Sequence, residues 1–124
     1  MYKPCVCAVD FDGVLTTMPE WPDIGVMDVV LIRLLRAFRQ AGNKIILHTC
    51  REGELLNMAL IACQKHHLAF DAVNKNLPER IQEFGGDCRK ISADIYLEDK
   101  AAGWSREAAY EALVAYINNP VRTP

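Results

Sequence analysis

The chain has 124 residues, of which 51% are hydrophobic and 24% are charged, and its formal net charge is −2 at pH 7. This length and composition fit one globular domain and exclude a disordered or fibrous protein. The small net charge gives no reason to expect general attraction to nucleic acid or to a membrane surface. We therefore expect a single domain over residues 1–124.

Membrane and targeting signals are absent from the sequence. No apolar run approaches the roughly 20 residues of a membrane span, and the N-terminus lacks the pattern of a signal peptide. The five cysteines are scattered through predicted strands and helices, at positions 5, 7, 50, 63 and 88. An odd number placed in this way favours reduced thiols, so we expect a cytoplasmic protein with no membrane partner.

The first predicted element is an apolar strand that ends in two carboxylates. Residues Cys5 to Val9 are small and uncharged, which is typical of a strand buried on both faces of a parallel sheet. Asp10 and Asp12 follow at its carboxyl end, the edge where ligands bind in open α/β sheets. Their repulsion requires that one of them stays protonated or that a positive charge lies between them, and a hard divalent cation, Mg²⁺ above all, satisfies the second option. The alternative is an ordinary turn rich in Asp and Gly.

The segment Asp10-Phe11-Asp12-Gly13-Val14-Leu15-Thr16 resembles the first motif of the haloacid dehalogenase (HAD) superfamily. That motif reads Asp-x-Asp-Gly-Thr/Val-Leu/Val-Thr and follows the first strand. Most members of the superfamily are Mg²⁺-dependent phosphatases that pass through an aspartyl-phosphate. The resemblance implies that Asp10 is the nucleophile and that Asp12 is a general acid that becomes a general base.

A loop, a helix and a second strand follow. Proline, tryptophan and glycine residues mark 17–25 as a loop that overhangs the carboxylates, in which Trp21 is expected to pin the loop to the body. Helical spacing of apolar residues predicts a helix over Val26–Ala41. A nearly all-apolar run predicts the second strand over Lys44–Thr49.

Two candidate phosphate contacts lie where this second strand ends. The hydroxyl of Thr49 is suited to donate to a phosphoryl oxygen, and a strand ending in Ser or Thr resembles the second HAD motif. The guanidinium of Arg51 has two open roles, a bidentate phosphate clamp or an ion pair with Glu52 or Glu54. These two glutamates stand at the start of a helix predicted over residues 52–67.

A lysine follows the third predicted strand, over residues 68–73, and precedes a short helix at 79–84. Lys75 stands at the carboxyl edge of that strand, where the third HAD motif places a lysine that neutralises the phosphoryl group. Lys90 competes for this role, but it precedes the fourth strand, predicted over Ile91–Leu97, and is expected to lie far from the site. We therefore prefer Lys75.

The fourth predicted strand also ends in two acidic residues. Glu98 and Asp99 would complete the oxygen shell of a metal held by Asp10. This pair resembles the fourth HAD motif, which is often Asp-Asp, so Asp99 is expected to bind the metal and Glu98 to help directly or through water. Ser105 is expected to cap a closing helix at 106–118.

The four motifs together imply a HAD-like core, a three-layer α/β/α Rossmann-like fold with a central parallel sheet and no room for a cap domain. The implied activity is Mg²⁺-dependent hydrolysis of a phosphomonoester through an aspartyl-phosphate. The implied metal ligands are Asp10, Asp12 through its backbone carbonyl, Glu98 and Asp99, and the implied phosphate contacts are Thr49, Arg51 and Lys75. A capless site is open, which often goes with large substrates such as nucleic-acid ends, or with oligomers.

Two other classes use similar residues. Receiver domains also gather acids, a Thr and a Lys around Mg²⁺, but their phosphorylated Asp follows a later strand, which argues against them here. A non-catalytic HAD-like module that binds phosphate or a partner remains the alternative.

Overall fold

The computed structural model describes residues 3–118, in which parallel strands alternate with helices. No helix within this range is long and apolar enough to cross a bilayer. The elements are β1 (Val6–Val9), α1 (Val29–Gln40), β2 (Lys44–Leu47), α2 (Gly53–Lys65), β3 (Ala72–Val73), α3 (Pro78–Phe84), β4 (Ile95–Leu97) and α4 (Arg106–Asn118).

The described strands form one sheet in the order β3-β2-β1-β4, and every pairing is parallel. Strand β1 is central, with Val9 paired with Leu47 on one side and with Leu97 on the other. Because Leu47 is also paired with Val73, all four described strands end at the same level. The predicted three-layer α/β fold with a central parallel sheet is confirmed.

Strand β1 is buried on both faces, as its apolar run predicts. Cys7 and Val9 belong to the larger core, with buried residues of α1, α2 and α4. Val6 and Ala8 face a smaller core that includes Leu77, beside α3. The period-2 alternation of a strand sends neighbouring side chains to opposite faces, so an all-apolar strand needs helices on both sides.

The segment before β4 differs from the prediction. Strand β4 begins at Ile95, and residues 87–92 form a loop tied to the buried amide of Asn76. The Asn76 Nδ2 donates to the carbonyl of Cys88 (3.0 Å), and its Oδ1 accepts from the amide of Ser92 (2.6 Å). Ile91 is buried as its apolar character predicts. The apolar spacing predicts that Ile91 is buried. It does not predict that the backbone of this segment bonds to the side-chain amide of Asn76 instead of to a neighbouring strand.

Asp28 joins the start of α1 to α4. Its Oδ1 accepts from the amides of Val30 and Leu31 (3.0 Å each), so α1 starts after this N-cap and not at residue 26 as predicted. Its Oδ2 accepts from Arg106 (2.8 Å) and from the hydroxyl of Tyr110. This buried carboxylate thus caps one helix and anchors another.

Arg106 also fixes the turn that follows β1. Its guanidinium donates to the carbonyls of Gly13 (3.0 Å) and Val14 (2.6 Å). Arg106 is the first residue of α4. The hydroxyl of the preceding Ser105 accepts from the amide of Ala108 (3.2 Å), as the predicted cap requires. Helix α4 is therefore bonded directly to the segment that carries the first motif.

We predict that Asp28→Asn destabilises the fold in a pH-dependent way. Burial raises the pKa of Asp28, but hydrogen bonds from Tyr110, the Leu31 amide and Arg106 outweigh it, and the pKa lies below its ordinary value. A lowered folded-state pKa contributes stability above the unfolded pKa of about 3.9, and this contribution disappears as the pH falls through the folded pKa. Breaking a buried ion pair costs about 3 kcal/mol at neutral pH.

The measurement is the free energy of unfolding in urea at several pH values, for wild type, Asp28→Asn and the exposed α4 variant Glu111→Gln as control. The loss of unfolding free energy in Asp28→Asn, relative to wild type, should be full at pH 7 and shrink below about pH 4. A loss that stays constant over this range would contradict the prediction that the negative charge of Asp28 stabilises the fold.

Candidate functional site

The level ends of the strands bring polar residues to one edge of the sheet. Because Val9 is paired with both Leu47 and Leu97, the residues that follow β1, β2 and β4 emerge side by side. A cavity of about 380 Å³ opens at this edge. Its lining includes Asp10, Asp12, Thr49, Glu98, Asp99 and Lys100.

Three carboxylates from the two ends of the described chain meet in this cavity. Asp10, Glu98 and Asp99 each offer one oxygen, and these oxygens all lie within 4.8 Å of one another. Burial and the negative charge of Glu98 raise the pKa of Asp10 to about 7. Burial and a hydrogen bond with Glu98 also raise the pKa of Asp99. Ionising all three together is unfavourable unless a positive charge joins them.

This donor set fits a hard divalent cation. Mg²⁺ binds oxygen at about 2.0–2.1 Å in octahedral geometry, which places its ligand oxygens roughly 3–4 Å from one another. The carboxylate oxygens of Asp10, Glu98 and Asp99 are close enough to reach such an arrangement by small movements. The structure therefore brings together the three predicted side-chain ligands of the metal. The backbone carbonyl of Asp12, the fourth predicted ligand, stays a prediction.

Gly13 allows the first motif to lie against the second acidic pair. Its φ is +84°, a conformation that residues with a Cβ rarely adopt. A Cβ built at this position would lie 2.8 Å from the Cγ of Asp99 and would overlap its Oδ2. Both the backbone conformation and the space beside Asp99 therefore require glycine.

The turn after β1 has its own hydrogen bonds. The Oδ1 of Asp10 accepts from the amide of Phe11 (2.7 Å), which fixes the orientation of this carboxylate. The buried Thr16 accepts from the amide of Gly13 at its Oγ1 (3.0 Å). The last residue of the motif thus closes the turn rather than facing the cavity.

Arg51 takes neither of its predicted roles. It is 1% exposed, and its Nε and Nη2 donate to the two carboxylate oxygens of Asp12 at 2.8 Å each. Its guanidinium also lies over the rings of Phe11 (5.2 Å) and Trp21 (5.0 Å). No ion pair with Glu52 or Glu54 is found among residues 3–118. A guanidinium committed in this way positions Asp12 and is not free to clamp a phosphate.

The loop at 17–25 covers one side of the cavity, as the sequence predicts. Pro19 and Trp21 line the cavity, and the Trp21 side chain is also 57% exposed. The carbonyl of Asp23 accepts from the Nη2 of Arg51 (3.0 Å). Trp21 therefore pins the loop through its contact with Arg51 and still presents a ring surface to the cavity.

Thr49 lies in the cavity at the end of β2, where the second motif was expected. Its amide donates to the Oδ1 of Asn74 (2.8 Å), and its Oγ1 accepts from the amide of Arg51 (3.1 Å). The hydroxyl proton is therefore available for another acceptor.

Neither candidate lysine is among the residues that line this cavity. Lys75 follows β3 at the carboxyl edge of the sheet, as the sequence predicts, but it is exposed. Lys90 lines a second cavity that Asp10 and Glu98 also line, so the expectation that it lies far from the site is wrong. The reason is the loop at 87–92, which is bonded to Asn76 and includes residues 91 and 92, predicted to begin the fourth strand.

Two further residues of this edge were not predicted. His48 lines both cavities, and Lys100 lines the first. His48 immediately precedes Thr49 and is the first polar residue after an apolar strand. Lys100 follows the acidic pair directly. Both positions are visible in the sequence as polar neighbours of a motif, a signal that predicts proximity but no role.

Comparisons with known proteins identify structural relatives. No protein-family model and no curated protein matches the sequence. A conserved protein from Bacteroides thetaiotaomicron has a similar solved structure, with 33% sequence identity and a TM-score of 0.77 over 91% of this chain and 92% of that chain. A structural-genomics target from Vibrio cholerae, 13% identical, has a TM-score of 0.50 over 94% of this chain and 98% of that chain.

The Vibrio protein shows a related fold alone. The Bacteroides protein is similar in both sequence and structure over most of each chain. This chain therefore belongs to the same family as the conserved protein from Bacteroides thetaiotaomicron.

Proposed function

We propose that the protein is a HAD-type phosphohydrolase that requires Mg²⁺ and hydrolyses a phosphomonoester through an aspartyl-phosphate on Asp10. The observation that carries the proposal is the convergence of Asp10, Glu98 and Asp99 within 4.8 Å at the carboxyl edge of a parallel sheet. Thr49 in the same cavity supports it. The arrangement matches the order of the HAD motifs that the sequence resembles.

In the first step, a carboxylate oxygen of Asp10 attacks phosphorus. A bond forms between this oxygen and phosphorus, and the ester bond to the leaving oxygen breaks. Asp12 gives its proton to the leaving oxygen, which departs as an alcohol. The amide of Phe11 holds the Oδ1 of Asp10, so the Oδ2 is the oxygen without this bond.

In the second step, water attacks the aspartyl-phosphate. Asp12 accepts a proton from the water, the new bond to phosphorus forms, and the bond to Asp10 breaks to release inorganic phosphate. Both residues return to their starting states. Asp10, Glu98 and Asp99 would hold Mg²⁺, which when bound offsets the negative charge of the phosphoryl oxygens.

Arg51 and Thr49 position the reacting groups in these steps. The two bonds from Arg51 fix the plane of the Asp12 carboxylate, and each carboxylate oxygen keeps a further lone pair for the leaving group or water. The hydroxyl of Thr49 accepts from the Arg51 amide and can donate its own proton to a phosphoryl oxygen. Arg51 therefore connects Asp12 to the residue expected to bind phosphate.

The second candidate is a HAD-like module that binds phosphate or a partner without catalysis. The observation that favours it is the ion pair, because Arg51 engages both oxygens of Asp12, the residue that must exchange protons. Turnover by the wild-type protein distinguishes the two candidates.

We predict that wild-type protein hydrolyses p-nitrophenyl phosphate when Mg²⁺ is present and that Asp10→Asn abolishes this turnover. The amide of asparagine cannot act as the attacking carboxylate. The measurement is p-nitrophenol release, with the exposed α3 variant Glu83→Gln as a control that removes a remote acidic charge. Turnover that survives in Asp10→Asn would exclude the proposed nucleophile, and no turnover by wild type would favour the binding module.

We predict that Asp99→Asn weakens Mg²⁺ binding measured by titration calorimetry. Removing even an outer partner of a metal ligand costs about 10-fold in affinity, so loss of a direct ligand should cost at least that. Glu83→Gln should bind like wild type. Equal affinities for wild type and Asp99→Asn would remove this carboxylate from the proposed metal site.

We predict that Arg51→Lys lowers kcat by about 100-fold, the lower range of what a positioned acid or base contributes, with a small change in KM. Lysine keeps the positive charge but not the planar fork that holds both oxygens of Asp12. The kcat of this variant should also depend on pH differently from wild type. A rise in KM at constant kcat would instead mean that Arg51 binds phosphate.

A further inference from the structure

A second cavity of about 290 Å³ adjoins the proposed catalytic cavity. The two share Asp10, His48 and Glu98 as a common wall. Arg89 and Lys90 line the second cavity. Asp10 therefore borders a cavity that two adjacent cations also line.

Within the described part of the chain, these two cations have no acidic partner. None of the ion pairs formed within residues 3–118 involves Arg89 or Lys90, although both line the same cavity as Asp10 and Glu98. The Nζ of Lys90 instead lies 5.7 Å from the ring centroid of Tyr96. Arg89 and Lys90 are exposed at this cavity and form no ion pair with Asp10 or Glu98, so their charges are available to an anionic ligand.

The backbone beside the cations is held in place. The hydroxyl of Tyr96 donates to the carbonyl of Ile91 (2.6 Å) and accepts from the amide of Ala93 (3.0 Å). On the other side, the Nδ2 of Asn76 donates to the carbonyl of Lys90 (3.3 Å). Because the carbonyls of Lys90 and Ile91 are both bonded, binding at this loop requires only side-chain ordering, which lowers its entropic cost.

Apolar residues also line the second cavity, among them Ala8, Ile91 and Leu97. This lining suits the carbon skeleton of a ligand that is charged at both ends.

We propose that Arg89 and Lys90 bind a second phosphate group of the substrate, so that the enzyme prefers phosphomonoesters that carry a further phosphate. The inference rests on the proposed phosphohydrolase function for the position of the first phosphate. An adjacent arginine and lysine provide a forked donor and a mobile ammonium, which suit phosphate oxygens. The second phosphate has two chemical sources, a small bisphosphate or the phosphodiester next to a terminal phosphate of an oligonucleotide.

The test compares kcat/KM for adenosine 3′-monophosphate, adenosine 3′,5′-bisphosphate and a short 3′-phosphorylated oligothymidylate. Wild type should prefer the bisphosphate or the oligonucleotide over the monophosphate by at least about 10-fold, the effect of one charge-assisted hydrogen bond. The preferred substrate identifies the source of the second phosphate. The double variant Arg89→Ala/Lys90→Ala should reduce the preference to near 1.

The matched control is Arg33→Ala/Lys65→Ala, which removes two exposed cations that line neither cavity. It should keep the wild-type preference. Thermal unfolding of both double variants checks that they fold. An equal loss of kcat/KM on all three substrates in Arg89→Ala/Lys90→Ala, or no preference in wild type, would overturn the inference.

A failure of the proposed function gives a different result. If wild type hydrolyses none of these substrates or p-nitrophenyl phosphate, titration calorimetry with adenosine 3′,5′-bisphosphate tests the subsite alone. Binding to wild type that is lost in Arg89→Ala/Lys90→Ala but kept in Arg33→Ala/Lys65→Ala supports the subsite. Absence of binding to wild type overturns it.

Discussion

The parallel pairing of β1 with both β2 and β4 is the constraint on which the site depends. Val9 is level with Leu47 and with Leu97, so the residues after each strand meet at one edge. This pairing places Asp10 beside Glu98, although 88 residues separate them along the chain. Burial of Asp10 and its repulsion from Glu98 both oppose the arrangement, and together they raise the pKa of Asp10. The hydrogen bonds and core contacts of the sheet must outweigh this repulsion when no cation is bound.

The two aspartates of the first motif have opposite electrostatic environments. Asp10 faces other carboxylates, whereas Asp12 is paired with a buried guanidinium. A buried arginine without a partner would be strongly destabilising, so Arg51 depends on Asp12 as much as Asp12 depends on it. Two carboxylates separated by one residue therefore have different partners, Asp10 the acids of the proposed metal site and Asp12 a single buried cation.

Polar side chains from outside the cavity keep its irregular segments in place. Arg106 of α4 bonds to the turn after β1, and Asn76 bonds to the loop at 87–92. Each of these residues satisfies backbone groups that no regular strand or helix would satisfy. The loop that carries Arg89 and Lys90 is positioned in this way, which links the proposed second phosphate site to the packing of the sheet.

The sequence alone determined the parallel α/β class and the three carboxylates of the proposed metal site, because apolar strands ending in polar residues follow from local pattern. It also placed Thr49 at the same edge. It did not determine the partner of Arg51 or the position of Lys90. Asp12 is 39 residues from Arg51, and the amide of Asn76 holds the loop of Lys90 from another segment. Tertiary structure decided these contacts, because a long side chain can reach several partners and only the packed fold selects one.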